Sequence, residues 1–172
     1  MSAPRFSAAR KLEASDGVDA FDCGVPELNT FLQRFAWVGQ KAHGAQTYVT
    51  CLEGDAGSVV AGYYSLVVGC VARRDAPKRV TTGLARHPVP VMILARLAVD
   101  RGHQGRGLGR ALLKDAVLRT LQAADIAGIR AMLVHAKGEA ARQWYLSWGF
   151  EPSPTDPYHL FLLIKDMRAA VS

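Results

Sequence analysis

Between His103 and Leu113 the chain reads HQGRGLGRALL, with Gly105, Gly107 and Gly109 at alternate positions and Arg106 and Arg110 beside them. Glycine reaches positive φ and lets a ligand approach the backbone closely. The residues that follow have helical periodicity, with Leu108, Leu112 and Ala116 on one stripe and Leu113, Val117 and Leu121 next to it. The first amides of a helix have no intrahelical partner, and the helix dipole concentrates positive charge there. A glycine turn feeding that end suits a pyrophosphate. Two common nucleotide loops do not fit. The dinucleotide pattern G-x-G-x-x-G fails because Arg110 stands three residues after Gly107, and the P-loop fails because Leu108 follows Gly107. What remains is Gln104-x-x-Gly107-x-Gly109, directly after the apolar stretch VMILARLAV.

A second chemical candidate is Tyr145, in AKGEAARQWYLSWGFEPSP. Ala141, Trp144, Tyr145 and Trp148 fall at i, i+3, i+4 and i+7, so a helix here carries the tyrosine on its apolar face. A buried tyrosine bonded to a backbone carbonyl is the ordinary explanation. A second explanation is chemical, because a phenol with a pKa of about 10 can give a proton to a leaving group. His135 and Glu139 are possible proton acceptors, though each is more simply a structural or solvent-facing group. Cys23 has no base near it in sequence and reads as a small buried residue rather than a nucleophile.

These groups need elements to position them. The stretch FDCGVPELNTFLQRFAWVG spaces Leu28, Phe31, Leu32, Phe35 and Ala36 as a helix, with Pro26 where a first turn tolerates it. Residues 47–52 and 58–71 are β-rich and joined by a turn, which predicts a hairpin. Strands are expected at 89–99, 129–136 and 158–165, with helices at 107–123 and 139–148. This order predicts a mixed, mostly antiparallel sheet flanked by helices, an α/β (α+β) fold in one domain over residues 1–172. The length of 172 residues and a hydrophobic fraction of 49% suit one core of that kind.

The N-terminal residues have no apolar leader pattern, and the richest apolar run, Val89 to Val99, is broken by Arg96. No signal peptide or membrane span is therefore expected. Cys23, Cys51 and Cys70 are odd in number and lack metal-ligand spacing, which fits reduced thiols in a cytoplasmic protein with no metal. The net charge is +6, and Arg73, Arg74, Lys78, Arg79 and Arg86 cluster against Asp75 alone. Such a segment attracts polyanions, or else is a solvated loop.

The strand–Gln104-x-x-Gly107-x-Gly109–helix arrangement resembles the acetyl-CoA pyrophosphate loop of the GCN5-related N-acetyltransferases (GNAT). Ala141, Trp144, Tyr145, Gly149 and Phe150 match the family's helix whose tyrosine faces the cofactor sulfur; Gly138 stands where that helix often carries asparagine. The N-terminal half is similar to the GNAT toxins of bacterial type II toxin–antitoxin modules, through Phe21, Asp22, Cys23, Gly24, Leu28, Asn29 and Leu32, and through Arg96 and Leu97 before the loop.

The resemblance covers about Phe6 to Met167 and implies a function. Such toxins acetylate the α-amine of aminoacyl-tRNA and so block translation. It implies acetyl-CoA as cosubstrate, held by Gln104, Gly105, Arg106, Gly107, Leu108, Gly109 and Arg110, with Leu97, Ala98 and Val99 bonding the pantetheine. It implies Tyr145 as proton donor to the thiolate and gives the basic segment a use on the tRNA backbone. It also implies homodimerisation and a ribbon–helix–helix antitoxin whose head binds operator DNA. An α-amine, with a pKa near 8, is partly neutral at physiological pH, so a strong base is unnecessary. The alternatives are a GNAT enzyme acting on a small-molecule amine or a protein N-terminus, and a GNAT fold that only binds.

Overall fold

The structure is a computed structural model and describes residues 3–54 and 57–171. In chain order the elements are β1 (Arg10–Lys11), α1 (Pro26–Thr30), a π-helical turn (Phe31–Phe35), α2 (Ala36–Lys41), β2 (Gln46–Leu52) and β3 (Val59–Val71). A 3-10 turn (Arg73–Asp75) leads to α3 (Lys78–Thr81) and β4 (Val89–Val99). After a second 3-10 turn (Arg101–His103) come α4 (Leu108–Ala124), β5 (Ala131–His135), α5 (Glu139–Ser147), β6 (Glu151–Pro152), β7 (His159–Leu163) and α6 (Ile164–Val171).

Seven strands form a mixed sheet in the order β1-β2-β3-β4-β5-β7-β6. The β1–β2, β2–β3, β5–β7 and β6–β7 pairs are antiparallel, while β4 and β5 are parallel, Val91–Leu94 facing Ala131–Val134. A parallel pair requires a crossover, and α4 supplies it. The first four residues of β5 are buried, as in a strand covered on both faces. The sheet expected from the sequence is present.

The chain divides into two compact units. The first holds residues up to Val67 together with Arg96–Ala116. Its core gathers Leu12, Phe21, Leu32, Ala36, Val49 and Tyr63 around Ala98. The helix expected from Pro26 onward is interrupted by the π turn, across which the Ala36 N–H bonds the Phe31 carbonyl. There the Arg96 guanidinium lies 3.6 Å over the half-buried Phe31 ring. Gly62 in β3 allows α4 to sit directly on the sheet. A Cβ at that position would meet Leu112 Cδ1 at 3.0 Å and the Ala98 carbonyl at 3.2 Å. The Tyr64 hydroxyl donates to Asp115 on the same helix. These contacts fix the first half of α4, and with it the glycine turn that opens it.

The second unit holds Val68–Ala95 and the chain from Val117 on. Its core is built by Ala76, Val80, Val89, Val91, Ala131, Leu133, Phe161 and Leu163. The last strand ends at Leu163 rather than at residue 165, and Ile164 begins α6 with its N–H on the Arg130 carbonyl at 3.1 Å. Arg130 also donates from Nε to Val80 at 2.7 Å and from Nη2 to Thr82 at 2.9 Å, holding the end of α3. Neither α3 nor α6 is among the elements expected from the sequence.

Candidate active site

α4 starts at Leu108, with Gly107 as the residue whose carbonyl accepts the first helical bond, from Ala111 at 3.1 Å. Gly105 and Gly107 have φ of +78° and +81°, and no atom lies within 4 Å of where a Cβ would stand on either. Packing therefore does not demand glycine at these positions. The backbone conformation does, and the space beside it is open to a ligand. Gly109 differs, since it lies inside the first turn of α4 with helical backbone. Leu108 and Gly109 open the helix with amides that have no carbonyl four residues back inside it. Gln104 and Arg106 are exposed beside them. The turn thus combines left-handed glycines, amides without an intrahelical partner, a helix dipole and the exposed Arg106, a donor set that fits a diphosphate.

The turn is tied to its surroundings at two points. Gln104 Nε2 donates to the Val99 carbonyl at 2.9 Å, so that end of the expected pantetheine edge already has one bond. β4 itself continues for five residues, Ala95 to Val99, beyond its stretch paired with β5. The other tie joins the base of the turn to the N-terminal motif. Arg101 reaches Asp22 Oδ2 from Nη2 at 2.6 Å and from Nε at 3.1 Å, and its backbone N–H donates to the Asp22 carbonyl at 2.8 Å. Asp22 N–H in turn donates to Asp100 Oδ2 at 3.0 Å, while Asp100 Oδ1 accepts from Gly102 at 2.8 Å. Asn29 closes the network: its amide donates to Asp22 Oδ1 at 3.0 Å and its carbonyl accepts from Cys23 N–H at 2.8 Å. The Arg101 guanidinium, then Gly24 N–H and the Asn29 amide, hold the Asp22 carboxyl down at about 2. From the sequence, the motif yielded a turn and a helix. Its role as a clamp on the cofactor turn is new, and so are Asp100 and Arg101 as its partners.

In the second unit, α5 buries Tyr145 to 7% exposure, edge-on to Trp144 at 5.0 Å and to Phe150 at 5.3 Å. Burial pushes its pKa up, so the phenol is protonated at neutral pH. Its hydroxyl bonds no described residue and is not among the polar atoms sealed from solvent. The satisfied core tyrosine of the ordinary explanation is therefore not what the structure contains. Gly138 is the N-cap of α5 and gives no side-chain cap. Glu139 accepts from Gln143 at 2.7 Å and also meets Arg142 and Tyr158, which lowers its pKa and makes it a poor base. His135 ends β5, stacked on His159 at 4.0 Å, and its pKa is lowered by burial and then by that neighbour.

Two residues of the basic segment have partners within the chain. Arg73 Nη1 donates to the Ala85 and Leu84 carbonyls at 2.9 and 3.3 Å, which pins the loop before β4 and leaves the guanidinium charge intact. Arg79 pairs with Glu151 at 3.2 Å and Asp166 at 3.1 Å. Arg74, Lys78 and Arg86 are exposed, Arg74 lying 4.0 Å from Asp75. The three cysteines are free thiols: Cys51 is buried, with its pKa pushed up to about 11, Cys70 is exposed, and Cys23 is half-buried rather than buried. Among the described residues, no three His, Cys, Asp or Glu side chains group as a metal site requires, and no helix is long and apolar enough to cross a membrane.

The left-handed glycine turn that opens α4 forms a site suited to a ligand that carries a diphosphate. Residues 46–152 match the acetyltransferase (GNAT) domain, and the chain belongs to that family. It is 48% identical over 166 residues to the tRNA-acetylating toxin of Mycobacterium tuberculosis, covering 96% of this chain and 97% of that one. Its fold matches AtaT complexed with acetyl-methionyl-tRNAfMet at a TM-score of 0.89 and 28% identity, over 98% of this chain and 100% of the other. It also matches a tyrosine-to-phenylalanine mutant of AtaT bound to acetyl-CoA and the C-terminus of the antitoxin AtaR, with TM-score 0.83, 28% identity and coverage of 97% and 98%.

Proposed function

We propose that this acetyltransferase moves the acetyl group of acetyl-CoA to the α-amine of an aminoacyl-tRNA, a reaction that stops translation, and that an antitoxin neutralises it. The observation that carries the reading is the left-handed Gly105–Gly107 turn at the start of α4, in a chain nearly half identical to a tRNA-acetylating toxin. Acetyl-CoA supplies the activated acyl group. Amides from Gln104 to Arg110 hold its diphosphate, Arg106 adds positive charge, and the backbone of Leu97 to Val99 binds the pantetheine and polarises the acyl carbonyl. The α-amine, with a pKa near 8, attacks as the free base, the carbon–sulfur bond breaks as the amide forms, and the nitrogen sheds its extra proton to water, from which the Tyr145 phenolate is reprotonated afterwards. Tyr145, protonated and with a free hydroxyl, donates a proton to the departing sulfur.

Arg73, Arg74, Lys78, Arg79 and Arg86 meet the tRNA backbone, Arg73 also pinning the loop before β4 and Arg79 being held by Glu151 and Asp166. The chain acts as one GNAT domain in the cytoplasm, as a homodimer, and its antitoxin is of ribbon–helix–helix type and carries operator binding. Incubation with acetyl-CoA and a panel of charged tRNAs, followed by mass spectrometry of the released aminoacyl-adenosine, tests the reading. Acetylation of charged tRNA is expected. Acetylation confined to free amines or protein N-termini contradicts it.

A further inference from the structure

The second unit contains a cavity of about 780 Å³ whose wall includes Arg79, Arg130, Lys165 and Arg168, and no carboxylate. The acids that hold these cations are not part of the lining: Asp125 bonds Arg168 at 2.8 Å, and Glu151 and Asp166 bond Arg79. Arg130 is fixed by two carbonyls, neutral acceptors that leave its charge intact. Lys165 is exposed and bonds no carboxylate among the described residues. Arginines fixed by their own hydrogen bonds at the wall of a cavity are preorganised for an anion, and the guanidinium fork matches phosphate oxygens. Arg79 belongs to the basic segment evident in the sequence; Arg130, Lys165 and Arg168 extend that segment in three dimensions.

Resting on the aminoacyl-tRNA reading, we propose that this cavity seats phosphodiester groups of the tRNA backbone. It is a substrate contact in a different unit from the cofactor turn. The four cations outnumber the three acids paired to them, Glu151, Asp166 and Asp125, and the volume is far larger than one phosphate, which suits an extended phosphodiester backbone; such contacts set position without reading sequence.

The test uses the full chain with Lys165→Ala and Arg168→Ala, singly and together. Both side chains are exposed, and the Arg168–Asp125 pair is solvent-facing at 57% and 66% exposure, so the fold is expected to hold. Affinity for charged tRNA is measured from 50 to 200 mM salt. Each lost phosphate contact makes the log–log salt slope shallower by about one, so the double variant is expected to lose about two, with affinity near 100 mM salt down at least tenfold. Acetyl-CoA affinity and acetylation of an aminoacyl-adenosine, which lacks the phosphodiester backbone, are expected to stay unchanged. Lys165→Arg, which keeps the charge, is expected to bind like wild type. Variants that bind tRNA with the wild-type slope overturn the proposal, as does loss of antitoxin binding with tRNA binding intact. A wild-type protein that neither binds nor acetylates charged tRNA fails one step earlier, at the function itself.

Discussion

At the residue scale Tyr145 is unusual in having a buried ring and a hydroxyl bonded to no described residue. Removing that oxygen therefore breaks no internal bond. Tyr145→Phe is expected to unfold within about 0.5 kcal/mol of wild type, as substitutions that break no contact generally do. Its kcat should fall about 10²- to 10⁴-fold while acetyl-CoA binds normally, the range for loss of a positioned acid. Full turnover in this variant removes Tyr145 from the chemistry. Gly107 is the converse case, a residue with no side chain whose value is its φ of +81°. Gly107→Ala forces an L-residue into the left-handed region at about 1–2 kcal/mol. Calorimetric titration should show acetyl-CoA bound about tenfold more weakly, the equivalent of about 1.4 kcal/mol. Both residues were legible in the sequence, because their chemistry depends on type and local spacing. The Asp22–Arg101 clamp was not, because its partners lie 79 residues apart and only the fold joins them.

At the scale of elements, α4 carries the cofactor turn, and Gly62 sets how closely α4 approaches the sheet. Gly62→Ala is expected to destabilise by about 1–3 kcal/mol, the range for overpacking, because the Ala98 carbonyl at 3.2 Å is backbone and cannot rotate away. Denaturant melts check this, and an unchanged midpoint argues against the tight seat. The same scale explains what the sequence obscured. Four residues of α3 are too few to show a period. The apolar run HLFLLI passes from β7 into α6 without a break, so its pattern reads as one longer strand. The π turn after α1 leaves no mark in the sequence, because a single extra residue in a helix leaves the apolar spacing nearly unchanged. The long strands and α4 were legible, since both carry their burial in period.

For the whole molecule, His135 and Asp22 are among the groups with lowered pKa that shape the acid side of the stability curve. His135 has its pKa lowered by burial, then by the stacked His159, against a smaller opposite pull from Asp156. The unfolded chain therefore takes up this proton more readily. Stability is unaffected above about pH 6.5, the ordinary histidine value, and falls as pH drops from there through the folded pKa. Urea melts at pH 7.5 and 5 should show this loss, and His135→Phe should reduce it; an equal loss in the variant contradicts the assignment. Asp22, held at about 2, acts lower on the scale. Its contribution is complete above about pH 4, the ordinary aspartate value, and fades as pH falls toward 2. The net charge of +6 belongs to this scale too, because the tRNA proposal depends on where the fold gathers it. The charge itself was legible in the sequence. Its assembly around one cavity was not, since Arg79, Arg130 and Arg168 come from distant parts of the chain.

The most direct measurement is a crystal structure of the chain with acetyl-CoA. Diphosphate oxygens within hydrogen-bond distance of the Gly105, Gly107, Leu108 and Gly109 amides are the predicted result. A diphosphate seated anywhere else, with those amides facing water, contradicts the account.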